Sequence, residues 1–310
     1  MFKVFIDGSV GTTGLRIYER LSEREDIELI KISEEDRKNL GVRKEAIESA
    51  DAAFLCLPDS AATEIVEALG DTKTKILDTS TAHRTNPAWA YGFPELSERH
   101  RENIIKSKRT AVPGCHASGF ISLVYPLVEA GILPKDYPVA ANSLTGYSGG
   151  GKKMIAEYEA DVRPDEFKSP RQYGLTQKHK HLPEMTKVCS LDFEPCFSPI
   201  VGDFYSGMTV TVPLFARLLL KKVSLKDIYE VFCEHYENKG VMKVMPFGTE
   251  GFLGTNNLKF NDGMEIFVSG NDDRILLASK FDNLGKGSSG AAVQCLNLML
   301  GTEETKGLVL

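Results

Sequence analysis

Cys115 lies in the stretch Val112-Pro113-Gly114-Cys115-His116-Ala117-Ser118-Gly119-Phe120, between two other segments whose residue types carry chemistry. Upstream is Gly8-Ser9-Val10-Gly11-Thr12-Thr13-Gly14, and downstream is His179-Lys180-His181-Leu182-Pro183-Glu184. A thiol nucleophile, a glycine turn suited to a dinucleotide and an imidazole acid/base fit one reaction class: oxidation or reduction at an acyl carbon through a thioester.

A thiol becomes nucleophilic as its pKa falls, and a helix N-terminus is one place that lowers it. Cys115 follows Pro113-Gly114, and Ala117, Phe120, Ile121, Val124, Leu127 and Val128 then recur at helical spacing. The cysteine is therefore expected at the N-cap or first turn of a helix. Cys56 falls inside a hydrophobic strand pattern, and Cys233 and Cys295 inside helix patterns, so those three read as small core residues.

His179 and His181 alternate, so in an extended segment both face the same way. Pro183 suits the first position of a helix and puts Glu184 in its first turn, where it could fix an imidazole's tautomer. Cys189 and Cys196 follow, but Cys-x6-Cys is not a usual zinc spacing, and no metal is expected.

In the glycine turn, Gly8, Gly11 and Gly14 allow a tight bend and close backbone approach to a pyrophosphate, while Thr12 and Thr13 open a helix whose amides attract anions. The spacing is G-x-x-G-x-x-G rather than G-x-G-x-x-G, so the strand–turn–helix context carries the reading. At the end of the second strand, Ser33 with Arg37 or Lys38 suits a ribose 2′-phosphate and favours NADP(H), despite Glu34 and Glu35. A second glycine loop, Ser148-Gly149-Gly150-Gly151-Lys152-Lys153, precedes a helix-like Met154–Ala160. It is not a P-loop. Ser148, Gly149 and Lys152 are candidates to hold a substrate phosphate or carboxylate.

These residues need a scaffold, and short apolar segments supply one. Strands are expected at Phe2–Asp7, Ile27–Ile32, Ala52–Leu57 and Ile76–Thr79. Helices are expected at Thr12–Leu21 and at Ser60–Leu69, the latter capped by Asp59 or Ser60. The alternation predicts βαβ units and a Rossmann-like, doubly wound parallel sheet. Beyond Cys115 the strands lengthen: Val139–Thr145, one within Gly207–Leu220, and Glu265–Ser269 with Arg274–Phe281 around the turn Gly270-Asn271-Asp272-Asp273. Ser224 should cap a helix to about Asn238, and a last helix should span Gly287–Leu300. The class is α/β: the parallel-sheet domain plus an α+β catalytic domain with a mixed or antiparallel sheet.

The remaining bounds are broad. At 310 residues the chain suits two domains. A net charge of −6 gives no basic footprint for nucleic acid, and no apolar run is long enough to span a membrane. Six irregularly spaced cysteines form no disulfide framework, which with the lack of a leader-like segment leads to a cytoplasmic expectation.

Together these segments resemble the N-acetyl-gamma-glutamyl-phosphate reductase family, in its shorter type. The likeness includes Gly8–Leu15, Asp78-Thr79-Ser80-Thr81-Ala82-His83-Arg84, Tyr91-Gly92-Phe93-Pro94-Glu95-Leu96, the cysteine box, Ser148–Lys152 and His179–Glu184. It continues through Asn283-Leu284-Gly285-Lys286-Gly287-Ser288-Ser289-Gly290 and the residues after it. The resemblance implies an NADP-binding domain over 1–115 with 284–310, and a catalytic and oligomerisation domain over 116–283 similar to that of aspartate-semialdehyde dehydrogenase. Homodimers or homotetramers are the family's habit. It also implies Cys115 as acyl acceptor, His179 or His181 as acid/base with Glu184 in support, and Arg84 toward the substrate phosphate. Asn283, Lys286 and Gly287 then belong near the nicotinamide. Three other readings compete: an aspartate-semialdehyde dehydrogenase, a cysteine hydrolase needing no nucleotide, and a non-catalytic NADP-binding redox sensor.

Overall fold

The structure is a computed structural model describing residues 1–310. The chain forms two compact units, Met1–Gly114 with Ser288–Leu308, and Cys115–Gly287 with Val309–Leu310. From sequence the boundaries fall at 1–115, 116–283 and 284–310, so Cys115 and residues 284–287 sort differently. The last four stay with the second unit because they fold back on Asp282. Its carboxylate accepts from Leu284 N–H at 2.9 Å, and its carbonyl accepts from Gly285 and Gly287 N–H at 3.0 and 3.1 Å.

The first unit runs β1 (Phe2–Asp7), α1 (Thr12–Ser22), β2 (Ile27–Ile30), α2 (Leu40–Glu48), β3 (Ala52–Leu55), α3 (Asp59–Leu69), β4 (Lys75–Asp78), β5 (Ala90–Tyr91), α4 (Glu98–Lys106) and β6 (Arg109–Ala111). Its six strands lie in the order β2-β1-β3-β4-β6-β5, every pair parallel. Strand periodicity sorts the core onto two faces. Val4, Ile6, Phe54 and Leu77 pack with Ile17 and Leu21 of α1, whereas Phe5, Ala53, Leu55 and Ile76 pack with Ile47 of α2 and Ile65 of α3. Both faces are covered, which is why these strands read as unbroken apolar runs.

α3 begins at Asp59 with Pro58 before it and no side-chain cap, contrary to the expected Asp59 or Ser60 cap. The Asp59 carboxylate is taken by Thr81, whose N–H and hydroxyl donate to it at 2.8 and 2.5 Å.

The second unit runs α5 (Cys115–Glu129), β7 (Ala140–Gly146), α6 (Gly151–Tyr158), β8 (Arg171–Gln172), α7 (Leu182–Val188), β9 (Cys196–Gly202), β10 (Met208–Phe215), α8 (Leu225–His235), β11 (Met242–Val244), β12 (Met264–Gly270) and β13 (Arg274–Phe281). The seven-stranded sheet has the order β11-β12-β13-β10-β7-β9-β8. It is mixed: β7 pairs parallel with β9 and β11 with β12, and the other pairs are antiparallel. α5 lies close on this sheet because Gly119 has no side chain. A Cβ there would sit 2.9 Å from both Phe281 Cε1 and Ser279 Oγ. Ser279 Oγ instead donates to the Gly119 carbonyl at 3.1 Å. Ser224 caps α8 in a reciprocal box with Asp227, and the helix stops at His235, short of the expected Asn238.

The last helix, α9 (Gly290–Leu300), starts later than the expected Gly287, after a π-helical turn over Gly285–Ser289. Ala291, Val293 and Leu296 complete the apolar cluster on the α1 face of the first unit. Asn297 adds a polar anchor by accepting from Arg24 Nη1 at 2.6 Å.

Candidate active site

β1 is flanked by β2 on one side and β3 on the other, so the strand order reverses beside it. A doubly wound sheet binds its ligand at the carboxyl ends of the strands at such a reversal. Gly8 follows β1 there with φ +85°, and a Cβ on it would run into the Cys56 carbonyl beyond β3. Gly14 is equally constrained, because a Cβ would lie 3.0 Å from Ser9 Cα. The glycines thus hold the first turn of α1 tightly against the loop. That turn has no side-chain cap and no acidic residue, so its amides are available to an anion. Thr12 Oγ1 is buried with no partner, and Thr13 Oγ1 lies 3.0 Å from Ser288 Oγ. An uncapped helix start, a glycine cradle and an unspent hydroxyl together fit a pyrophosphate.

A cavity of about 520 Å³ adjoins the turn, lined by Asp7–Val10, Tyr18, Leu29–Ile32, Leu57 and the charged Glu34, Glu35, Arg37 and Lys38. Ser33 Oγ donates to Asp36 at 2.7 Å, and Arg37 Nη2 donates to Glu34 at 2.5 Å. Both residues proposed for the 2′-phosphate are therefore at this rim, engaged with carboxylates. Asp7 closes the floor in a buried pair with Arg43, 2.8 Å from Nη2. Burial pushes the Asp7 carboxyl up, opposed by the Arg43 hydrogen bond and charge.

Cys115 is the first residue of α5 and is partly exposed. Gly287 backs it: a Cβ there would fall 2.9 Å from Cys115 Cβ. The neighbouring His116 is buried and gathers the other rings. Its centroid lies 5.3 Å from His179, 5.6 Å from His181 and 5.3 Å from Phe197. His116 Nδ1 is 2.6 Å from Ser143 Oγ and Nε2 is 2.7 Å from the Tyr173 hydroxyl. Burial holds its pKa at about 3, with the charges of His179 and Lys180 adding to the effect. His179 is depressed to about 4 by burial and by Lys180. Its Nδ1 accepts from the His181 N–H at 3.1 Å, so its proton resides on Nε2. His181 precedes α7, and Glu184 is buried in that helix's first turn. Both expected histidines thus share one cluster in the unit that carries Cys115.

Cys56 and Cys189 contrast with this thiol. Burial pushes Cys56 up to about 12 and Cys189 well above its ordinary value, which suits inert core thiols.

Arg84 donates from Nε to the Val112 carbonyl and from Nη2 to the Thr79 carbonyl, each at 2.9 Å. It therefore ties the loop after β4 to the segment leading to Pro113. His83 is turned into the core, 2.6 Å from Asp78 and stacked on Trp89 at 4.1 Å. Ser148 is buried and accepts from Asn283 Nδ2 at 3.0 Å, while Asn283 Oδ1 accepts from Gly207 N–H at 2.8 Å. Asn283 thus braces the second glycine loop. Gly149 and Lys152 are exposed on that loop, and Lys286 is buried.

Residues 3–104 match the family model for a semialdehyde dehydrogenase NAD binding domain, and residues 115–283 match that for a semialdehyde dehydrogenase dimerisation domain. A protein of Brucella ovis named N-acetyl-gamma-glutamyl-phosphate reductase is 48% identical over 306 residues, covering 96% of this chain and 99% of its own. The namesake from Brucella abortus gives the same figures. The chain belongs to the N-acetyl-gamma-glutamyl-phosphate reductase family. Among solved structures, aspartate semialdehyde dehydrogenase II from Vibrio cholerae matches with a TM-score of 0.75 at 16% identity, over 97% of this chain and 99% of that one. The Candida albicans aspartate semialdehyde dehydrogenase with NADP matches at 0.68 and 14%, over 97% and 98%. At such identities these two establish the shared fold alone.

Three members of this N-acetyl-gamma-glutamyl-phosphate reductase site carried no decisive sequence signal. His116 stands beside the nucleophile, where a helix-forming reading absorbs it. Tyr173 and Ser143, its partners, are 57 and 27 residues away. The Asp7–Arg43 pair had one usable clue, an acidic residue inside an otherwise apolar strand end.

Proposed function

We propose that the chain reduces N-acetyl-γ-glutamyl phosphate with NADPH to N-acetylglutamate 5-semialdehyde and inorganic phosphate, a step of arginine biosynthesis, through a thioester on Cys115. The observation that carries this reading is a partly exposed thiol at the first residue of α5, with two histidines gathered on the ring of the next residue. The thiolate attacks the acyl carbon, the carbon–sulfur bond forms, and the acyl–oxygen bond to phosphate breaks. NADPH, when bound, supplies the hydride that the thioester carbonyl, unlike a free carboxylate, is electrophilic enough to accept. Collapse of the thiohemiacetal then returns the sulfur as thiolate as the His179/His181 pair takes up the hydroxyl proton, with Glu184 in support. Amides at the start of α5 are suited to stabilise the oxyanion, at typically ~3 kcal/mol per donor.

Gly8, Gly11, Thr12, Thr13 and Gly14 would hold the pyrophosphate. Ser33 and Arg37 would exchange their carboxylate partners for the 2′-phosphate, and Asn283, Lys286 and Gly287 would flank the nicotinamide. Ser148, Gly149 and Lys152, with Arg84, are assigned to the substrate's anionic groups. A homodimer or homotetramer is supported by the dimerisation-domain match and by apolar residues left open on the second sheet, Phe215 and Leu276, each 43% exposed. Six free cysteines and a thiol mechanism suit the reducing cytoplasm.

The test is a panel of semialdehydes with phosphate and either NADP or NAD, followed by reduced-nicotinamide absorbance. N-acetylglutamate semialdehyde with NADP should be fastest, and Cys115→Ser should lose at least about a thousandfold in kcat while still binding NADPH. Preference for aspartate semialdehyde, or substantial turnover by the serine variant, would refute the assignment.

A further inference from the structure

His116 has no part in the chemistry above, yet its ring is bonded at both ends. The side chain is 4% exposed, with Ser143 Oγ at 2.6 Å from Nδ1 and the Tyr173 hydroxyl at 2.7 Å from Nε2. A neutral imidazole has one N–H and one lone pair, so one hydroxyl donates to the ring and the other accepts from it. Which does which follows from Ser143. It lies on β7, is fully buried and makes no other side-chain hydrogen bond. If it accepted from Nδ1–H, its own proton would be buried without an acceptor, which costs roughly 1–3 kcal/mol. Ser143 therefore donates to Nδ1, the ring proton sits on Nε2, and Nε2–H donates to the Tyr173 oxygen. Charging the ring would satisfy both hydroxyls as acceptors, but burial keeps His116 neutral at ordinary pH.

This ordering leaves the Tyr173 proton unspent, since the phenol has no other partner in the chain. We propose that Ser143 and His116 act as a one-way hydrogen-bond relay that fixes Tyr173 as a donor to the sulfur of Cys115. Burial and then the charge at Cys115 push the Tyr173 phenol up, so it keeps its proton and lies within electrostatic reach of that sulfur. The donated bond favours thiolate over thiol, and no proton is transferred along the chain. Ser143 and His116 are positioning residues; Tyr173 touches the reacting atom. The inference rests on Cys115 being the nucleophile, but not on which acyl group it carries.

Two measurements on the whole enzyme test it, neither using the acyl substrate. In ¹⁵N-histidine-labelled protein, the His116 resonances, assigned by their loss in His116→Gln, should report the Nε2–H tautomer. An Nδ1–H tautomer overturns the proposal, and this readout needs no variant beyond the assignment control. Secondly, iodoacetamide alkylation of the Cys115 peptide is followed against pH by mass spectrometry. Tyr173→Phe and Ser143→Ala should each slow alkylation at neutral pH by about tenfold and move its midpoint upward, with the double variant no worse than Tyr173→Phe. An unmoved profile in Tyr173→Phe, or additive losses, overturns the relay. If the relay is found but no semialdehyde is turned over, the substrate assignment fails alone.

Discussion

Gly287→Ala isolates how tightly the nucleophile is held. A Cβ at this position would lie 2.9 Å from Cys115 Cβ, 3.1 Å from Phe281 Cε2 and 3.2 Å from the Asp282 carbonyl. Carbon atoms pack at about 3.5–4.0 Å, so the pair must separate by roughly 0.6–1 Å. Phe281 is fully buried, and Gly287 N–H is tied to the Asp282 carbonyl at 3.1 Å, so residue 287 has little room to retreat. The movement falls mainly on Cys115, at the start of its helix. A reacting atom misplaced by about 1 Å can lose on the order of 100-fold in rate, whereas overpacking costs about 1–3 kcal/mol of stability. The expected variant is folded, with a melting temperature lowered by a few degrees and kcat down about 100-fold. Steady-state kinetics with N-acetylglutamate semialdehyde, phosphate and NADP, beside a thermal melt, measures both. Near-normal kcat would refute the reasoning. So would a loss confined to KM for NADP, because the glycine would then serve the cofactor's approach rather than the position of the sulfur.

Two further outcomes follow from buried charge. Arg43→Met should destabilise the protein by about 3–5 kcal/mol in urea unfolding by stranding the buried Asp7 carboxylate, and adding Asp7→Asn should recover most of it. His116, held at about 3, binds its proton less readily folded than unfolded, so its contribution disfavours the folded state as pH falls below the unfolded value of 6.5. Between pH 7 and pH 5 this amounts to about 2 kcal/mol, which unfolding of His116→Gln beside the parent should show as a correspondingly weaker acid sensitivity.

Much of the scaffold was legible because its signals are local. β1, β3 and β4 are short apolar runs covered on both faces, and the glycine turn follows the first of them at the place where strand order reverses. The hairpin of β12 and β13 announced itself through Gly270-Asn271. Other elements lacked such marks. β9 contains Pro199, which removes a ladder donor, and β8 has two residues. α2 presents no clear apolar stripe; its usable signal was Asn39, whose side chain accepts from Gly41 and Val42 N–H. Cys115, His179 and His181 could be picked out by residue type and context. The Ser143–His116–Tyr173 connection could not, since only the three-dimensional path of β7 and the segment after β8 joins hydroxyls so far apart in sequence.

The placement of α9 sets an order on biosynthesis. The first unit's core needs Ala291, Val293 and Leu296, and its buried Arg24 needs Asn297. On the ribosome, the opening strands and helices emerge early and wait with one apolar face uncovered until nearly the whole chain has been made. The intervening segment, Cys115–Gly287, has its own sheet and can collapse during that delay. A nascent chain cut short before α9 thus carries the glycine turn but not the helix that seals the layer beneath it.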